Sequence, residues 1–325
     1  LGVGGTWPGE VVLKLNKNFL KKMALKLDRG VIIISGTNGK TTTAKMISSI
    51  LVENKLKILN NPSGANLLNG IASAFIKDAK FNGKLHSDLA VLEIDEGNLP
   101  KILEQITPKI ILLLNLSRDQ LDRYGEVEII LERWIEAINK ISTDTKIVLN
   151  VEDIRLQKIK DKIKNQIISF SSRTEHNWPC NLPGEHNQLN THGAVEVAKL
   201  MNTPFEIIFK ALKNFKPAFG RGEIFEIENK KIQMFLAKNP ASFNNNLEMI
   251  LERNVCVSSI LFILNDNIPD GRDVSWIYDI DPDKLKMVCA NKKIFVSGTR
   301  HSDMLLRLKY AGINYQECCN SSDIE

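Results

Sequence analysis

A chain of 325 residues exceeds the roughly 250–300 at which single cores stop growing, so two domains are expected. Its 43% hydrophobic and 25% charged residues exclude a disordered or fibrous protein. The 43 basic and 38 acidic side chains leave a charge of +5 spread along the chain, with no run of five or six like charges to make a nucleic-acid arm. Mild basicity fits an ordinary surface and is compatible with an anionic substrate or a membrane face.

In chain order, short apolar runs alternate with amphipathic stretches from residue 30 onward, the rhythm of a parallel sheet covered by helices. Strands are predicted at Gly30–Ser35, Leu89–Ile94, Lys109–Asn115, Lys146–Asn150 and Gln166–Phe170, with helices at Lys40–Asn54, Ala65–Ala79 and Val127–Ile141. Helices over Asn187–Met201 and on to Phe215 precede the turn-rich segment Lys216–Gly222. Beyond it come a hairpin over Glu223–Leu236, a helix near Ser242–Arg253, strands Ser258–Leu264 and Lys293–Ser297, and a helix Arg300–Ala311. The fold class is α/β: a lead-in segment (1–29), a central domain with a mainly parallel sheet flanked by helices (30–217), and a smaller Rossmann-like α/β domain (218–325).

Five cysteines at 180, 256, 289, 318 and 319 form no CxxC pair, so neither a disulfide framework nor a zinc site is predicted, and a reducing cytoplasm fits best. Apolar runs such as Val31–Ile34 fall far short of the ~20 residues that span a bilayer. The chain opens without Met and stops soon after a predicted strand, so one or both ends are expected to be incomplete.

The strongest chemical signal is the run Val31–Ile34 feeding into Ser35-Gly36-Thr37-Asn38-Gly39-Lys40-Thr41-Thr42-Thr43, where a helical pattern begins. Glycines let backbone amides approach phosphate oxygens, and the helix start adds its positive dipole end. Lys40 is placed to reach terminal phosphates and the Thr41 hydroxyl to hold Mg²⁺. Residues 36–42 are therefore candidate nucleotide contacts. A turn that merely starts a helix is the bland alternative, and the preceding strand weighs against it. Ile34 stands where the commonest phosphate loop has its first glycine.

GTNGKTT in this short form resembles the Mur ligase superfamily, which includes peptidoglycan amino-acid ligases and folylpolyglutamate synthases. The resemblance implies a Mg²⁺ carboxylate at Glu93, in LEIDEG. Asn115-Leu116-Ser117-Arg118-Asp119-Gln120-Leu121-Asp122 is similar to the Asn-x-x-x-Asp-His-x-Asp segment of that family. Gln120 replaces a histidine associated with a second metal, which puts a two-metal arrangement in doubt. Asn150, in LNVED, resembles an adenine-contacting position. Gly184-Glu185-His186-Asn187, with Asn190, resembles the G-x-H-N-x-x-N motif, making His186 and Asn187 candidate nucleotide contacts. Arg221 matches an arginine that the family swings toward ATP phosphates, against the plain reading of a linker arginine.

The second half is similar to MurT-like subunits of lipid II isoglutaminyl synthase, through Ala237–Ala241, the segment Asn265–Ile277 containing DGRDVSWI, and Ser297–Arg300. The opening Trp7-Pro8-Gly9 continues the likeness. That resemblance implies an ATP- and Mg²⁺-dependent synthetase subunit in a heterodimer with a GatD-type glutaminase. Its substrate would be lipid II at the inner face of the cell membrane, with the D-glutamate α-carboxylate amidated through an acyl phosphate. It implies that Asp273 completes the glutaminase triad and that Lys40 is catalytic in phosphoryl transfer. No nucleic acid is implied. Only Ser171–Pro183, with the single Cys180, stand where such proteins often insert a four-cysteine zinc ribbon, so no zinc is expected. A stand-alone ligase resembling folylpolyglutamate synthase and a nucleotide-binding module without turnover are the alternatives.

Overall fold

The computed structural model describes residues 6–61, 64–117, 127–173, 178–180, 182, 184–216, 220–228, 230–252, 257–267, 273–315 and 317–318, with backbone only at positions 221, 317 and 318. Most of the segment around Gln120, the residues 268–272 and Cys256 and Cys319 lie outside the described residues. The chain divides into two compact units at residue 218, and each is described by itself.

The first unit begins with α1 (Trp7–Leu15) and α2 (Phe19–Ala24). Then come β1 (Val31–Ser35), α3 (Lys40–Glu53), β2 (Ile58–Asn60), α4 (Leu68–Asp78), β3 (Leu89–Ile94), α5 (Leu99–Leu103) and β4 (Ile110–Leu113). It continues with α6 (Val127–Ile138), β5 (Lys146–Asn150), α7 (Ile154–Gln157), β6 (Ile167–Phe170), α8 (Glu185–Leu200) and α9 (Phe205–Lys213). The six strands form one parallel sheet in the order β2-β3-β1-β4-β5-β6.

Every residue of β1 and β3 is buried, as a central parallel strand covered on both faces requires. Because side chains alternate across a strand, Val31 and Ile33 join the core under α1, α2, α4, α5 and α6, and Ile32 and Ile34 join the core under α3, α8 and α9. Right-handed crossovers explain the division. The β1-to-β2 connection runs along the sheet against the direction of all later ones, so α3 lands on the opposite face. The connections part at the carboxyl end of β1, which opens a crevice between β3 and β4.

The expected lead-in segment is helical. Pro8 occupies the first turn of α1, where no intrahelical donor is lost. Gly9 donates its N–H to Ser73 Oγ on α4 at 2.8 Å, and a Cβ there would lie 1.8 Å from the Asn69 carbonyl oxygen. Glycine is thus the only residue that lets α1 pack this closely.

The second unit holds an antiparallel hairpin, β7 (Arg221–Ile227) with β8 (Lys230–Phe235), followed by α10 (Pro240–Glu252) and β9 (Ser259–Ile263). A 3-10 helix (Ser275–Asp279), α11 (Pro282–Cys289), β10 (Lys293–Ser297), α12 (His301–Tyr310) and β11 (Glu317–Cys318) complete it. Its main sheet is parallel in the order β11-β10-β9, and Phe262, Ile277, Leu285, Val288, Val296 and Leu308 make its core. Among the described residues no helix is long and apolar enough to cross a membrane.

Candidate functional site

The loop between β1 and α3 sits at that crevice. Ser35 Oγ donates to the Ile94 carbonyl at 3.1 Å and so ties the end of β1 to the end of β3. Gly36 turns the chain with φ +147°, and a Cβ on it would approach the Asn115 carbonyl oxygen to 2.9 Å. Asn115 grips the loop three times: its carbonyl accepts from Thr37 N at 3.0 Å, its Oδ1 accepts from Asn38 N at 2.9 Å, and its Nδ2 donates to the Asn38 carbonyl at 3.0 Å. Thr37 Oγ1 in turn accepts from Ser117 N at 3.0 Å. The amides of Thr37 and Asn38 therefore hold the loop in shape. The first-turn amides of α3, which have no intrahelical acceptor, are the donors that an anion at this loop would meet.

Gly39 adopts φ +86° at the start of α3, and a Cβ there would sit 2.6 Å from Asn190 Oδ1. Asn190 is buried on α8, one turn past Asn187, which is also buried, and His186, which is half-buried. The motif opening α8 thus packs on the loop itself. Thr42 is buried and Thr41 half-buried in the first turn of α3.

Lys40 folds back over the loop. Its Nζ donates to the carbonyls of Gly36 and, at 3.0 Å, Thr37, and pairs with Glu96 Oε2 at 3.1 Å. Burial draws the ammonium pKa down. The ion pair and hydrogen bond with Glu96, backed by Asp95 and Glu93, outweigh it and hold the group above the ordinary lysine value. Glu96 is only 4% exposed and its main-chain carbonyl accepts from Trp134 Nε1 at 2.8 Å. Its acidity is plain in LEIDEG. Its partnership with Lys40 follows from β3 lying beside β1, which spacing along the chain does not reveal.

Glu93, at 3% exposure, is locked at its backbone by Asn61, which donates to the Glu93 carbonyl at 2.9 Å and accepts from its N–H at 3.0 Å. One carboxylate oxygen accepts from Gly64 N at 3.2 Å and the other, Oε2, is buried with no hydrogen-bond partner. A carboxylate oxygen withdrawn from water without a donor is costly, and a cation would satisfy it. Thr41, Lys45, Ser48, Asn60, Asn61 and Glu93 line a pocket of about 350 Å³. One carboxylate and one hydroxyl beside a phosphate loop suit Mg²⁺, which keeps several waters and takes its remaining ligands from phosphates. Among the described residues no set of three or more His, Cys, Asp or Glu is arranged to hold a metal by protein ligands alone.

Asn150, 2% exposed at the end of β5, donates to the Leu114 carbonyl at 2.8 Å and accepts from Glu152 N at 2.9 Å. Asp153 caps α7 and also accepts from Leu116 N at 2.8 Å, joining the LNVED turn to the chain after β4. The side chain of Arg221 lies outside the described residues; its backbone opens β7.

In the second unit, Asp273 is exposed and its Oδ1 accepts from Ser275 N at 2.8 Å. That backbone hydrogen bond, then the Ser275 side chain and the charge of Arg300, keep its carboxyl below the usual aspartate range. The carboxyl ends of β9 and β10 are laced together. Thr299 N donates to Asn265 Oδ1 at 3.0 Å, Thr299 Oγ1 to Asp266 Oδ1 at 2.9 Å, and Arg300 bridges Asp303 at 2.7 Å and Asp266 at 3.4 Å. Cys180 and Cys289 are free thiols.

With this geometry in hand, comparison with known proteins places the chain. Residues 34–193 match the family model of the Mur ligase middle domain, and residues 236–325 match that of the MurT ligase C-terminal region. The lipid II isoglutaminyl synthase (glutamine-hydrolyzing) subunit MurT of Staphylococcus aureus strain COL is 30% identical over 95% of this chain and 84% of its own length. The subunit of the same name from Streptococcus pneumoniae strain R6 is 29% identical over 100% of this chain and 86% of its own. Among solved structures, MurF from Acinetobacter baumannii has a TM-score of 0.71 at 20% identity, covering 95% of this chain and 70% of that one. MurF from Thermotoga maritima in complex with ADP has a TM-score of 0.67 at 16% identity, covering 97% and 75%. These structures share the fold. The identity and coverage of the MurT relatives, with both family matches, show that the chain belongs to the MurT family of lipid II isoglutaminyl synthase subunits, a branch of the Mur ligases.

Proposed function

We propose that the chain is the ATP-using half of a glutamine-dependent amidating enzyme that converts the D-glutamate of the lipid II stem peptide to D-isoglutamine, working at the inner face of the membrane with a GatD-type glutaminase. The observation that carries this reading is the match of residues 236–325 to the MurT C-terminal region in a chain that also bears the nucleotide loop. Relatives named as subunits support a partner.

A carboxylate resists attack by ammonia until it is activated. An oxygen of the acceptor α-carboxylate attacks the γ-phosphorus of ATP and ADP departs. Ammonia then adds to the acyl-phosphate carbonyl, inorganic phosphate leaves, and a proton is lost to solvent. The first-turn amides of α3 and the Lys40 ammonium bind and neutralise the phosphates, for which Lys40 exchanges its loop carbonyls. Thr41 and the open oxygen of Glu93 would hold Mg²⁺, which supplies charge neutralisation at the transferring phosphoryl group. Asn150, His186 and Asn187 are proposed to border the nucleotide, and Arg221 to add a guanidinium at its phosphates. Asp273 orients and charge-stabilises the histidine of the partner's Cys–His pair.

The test is amidation of a D-glutamate-containing muropeptide lipid by the chain co-purified with a glutaminase subunit, driven by glutamine or by ammonium. Asp273→Asn should remove glutamine-driven amidation and spare the ammonium-driven reaction, whereas Lys40→Ala should abolish both. Equal losses for the aspartate variant would refute the triad role. Activity toward a free amino acid without any partner would turn the assignment to a stand-alone ligase.

A further inference from the structure

Arg307 is 4% exposed on α12, within a core otherwise made of Leu285, Val288, Met304 and Leu308. A charged fork in such a place is expensive to desolvate and is retained only where its donors are well used. Its Nε donates to the Ile277 carbonyl at 2.8 Å and its Nη2 to the Ile280 carbonyl at 2.5 Å. Those carbonyls lie three residues apart toward the C-terminal end of the 3-10 helix Ser275–Asp279, and the Ile277 carbonyl also accepts from Ile280 N. A 3-10 segment this short does not hold itself together, because its internal bonds are few and poorly aligned. Here the bonds that tie the helix to its flanking residues, Ile277 N to the Val274 carbonyl at 3.1 Å and Ile280 N to the Ile277 carbonyl at 3.4 Å, are supplemented by the guanidinium. The opposite end of the same helix supplies Ser275 N, the donor that holds Asp273 Oδ1 at 2.8 Å.

We propose that Arg307 is a positioning residue: its bidentate grip on the Ile277 and Ile280 carbonyls fixes the 3-10 helix so that the Ser275 amide presents the Asp273 carboxylate to the histidine of a partner glutaminase. The inference rests on the function proposed above. An apolar side chain of similar length would fill the volume and leave the turn free to rock. The loss would fall on glutamine hydrolysis, which depends on Asp273, and not on the ATP-dependent activation of the carboxylate, in which neither Asp273 nor Arg307 is placed.

The experiment compares parent, Arg307→Lys, Arg307→Met, Met304→Ala and Asp273→Asn chains, each in complex with the glutaminase subunit, in glutamine-driven and ammonium-driven amidation. The kcat and KM for glutamine hydrolysis are measured alongside. A misplacement of about 1 Å predicts a fall on the order of 10- to 100-fold in kcat for glutamine hydrolysis by Arg307→Met, with KM for glutamine and the ammonium-driven rate near parental values. Lysine reaches one carbonyl but not both, so the ratio of glutamine-driven to ammonium-driven rates should fall from parent through Arg307→Lys to Arg307→Met. Met304→Ala, which cuts the same core without touching the carbonyls, should leave that ratio unchanged. If Arg307→Met does not accumulate as folded protein, the fall from parent to Arg307→Lys decides by the same ratio. A ratio that stays flat across the arginine series while Asp273→Asn separates the two reactions overturns the positioning role and leaves the proposed function intact. A ratio unmoved by Asp273→Asn itself overturns the triad role and the positioning role with it.

Discussion

Replacing Glu96 by Gln removes the charge that holds Lys40 in the resting loop while keeping the shape of the side chain. The structure sets the size of the effect. Breaking a buried ion pair by deleting one charge costs about 3–5 kcal/mol when nothing replaces it. Here Gln still offers an acceptor, the carbonyls of Gly36 and Thr37 keep their bonds to Nζ, and Asp95 and Glu93 remain close enough to act on the ammonium. The remaining loss is about 1–2 kcal/mol, which in a unit of this size lowers its Tm by about 2–8 °C. The Glu96 main-chain carbonyl is untouched, so Trp134 keeps its partner and the core of the first unit is unchanged. On the proposed function ATP draws Lys40 away from Glu96, so the variant has less to lose on binding. Its Tm should rise more on adding Mg-ATP than that of the parent. Differential scanning fluorimetry with and without nucleotide measures both quantities. A variant as stable as the parent without ligand, or one that gains less from Mg-ATP, would refute the idea that Glu96 restrains the lysine.

Three further outcomes are expected. Gly39→Ala places a side chain at φ +86°, which costs about 1–2 kcal/mol, and drives its Cβ against Asn190. Calorimetry should show weakened ATP binding in a folded protein, partly restored by a second change, Asn190→Ala. Glu93→Gln should raise the Mg²⁺ concentration needed for half-maximal Mg-ATP binding by on the order of 10- to 100-fold, with metal-free nucleotide binding no weaker. Equal weakening with and without metal would count against the Glu93 assignment. Burial of His192 on α8 lowers its pKa from the ordinary 6.5. The unfolded chain then binds the extra proton first, so stability is lost as pH falls below about 6.5. His192→Gln should flatten the Tm profile between about pH 7 and pH 5.

Much of the central fold was legible because its signals are local. The β-branched run before Gly36 and the 3.6-residue periodicity after Gly39 specify β1 and α3 without help from elsewhere. Ends of strands were read a residue or two too long, as at Ile110–Leu113, where the last residues turn into the loop that grips Thr37 and Asn38. The three-residue strand β2 escaped notice because it is too short to alternate. The helix α1 escaped too, since its buried face depends on Gly9, whose role is to be absent as a side chain. In the candidate site, residues 36–42, Glu93 and the α8 motif were visible by type and order. Glu96 and the Asn115 clamp were not, because each depends on strand order, and β3 and β4 flank β1 only once the sheet has formed. Asn150 was visible as a position, while its bonds to Leu114 and Glu152 belong to the tertiary structure.

The posture of Lys40 bears on which form of the nucleotide the loop admits. The Lys40 ammonium has three acids near it, Glu93, Asp95 and Glu96, and a second lysine, Lys45, lines the adjoining pocket. On the proposed function, acids that outnumber the lysines at the loop favour a polyphosphate whose charge is already half cancelled by a metal over a bare one. The acids that keep the lysine in readiness would thereby set a preference for metal-complexed nucleotide rather than bar the free form.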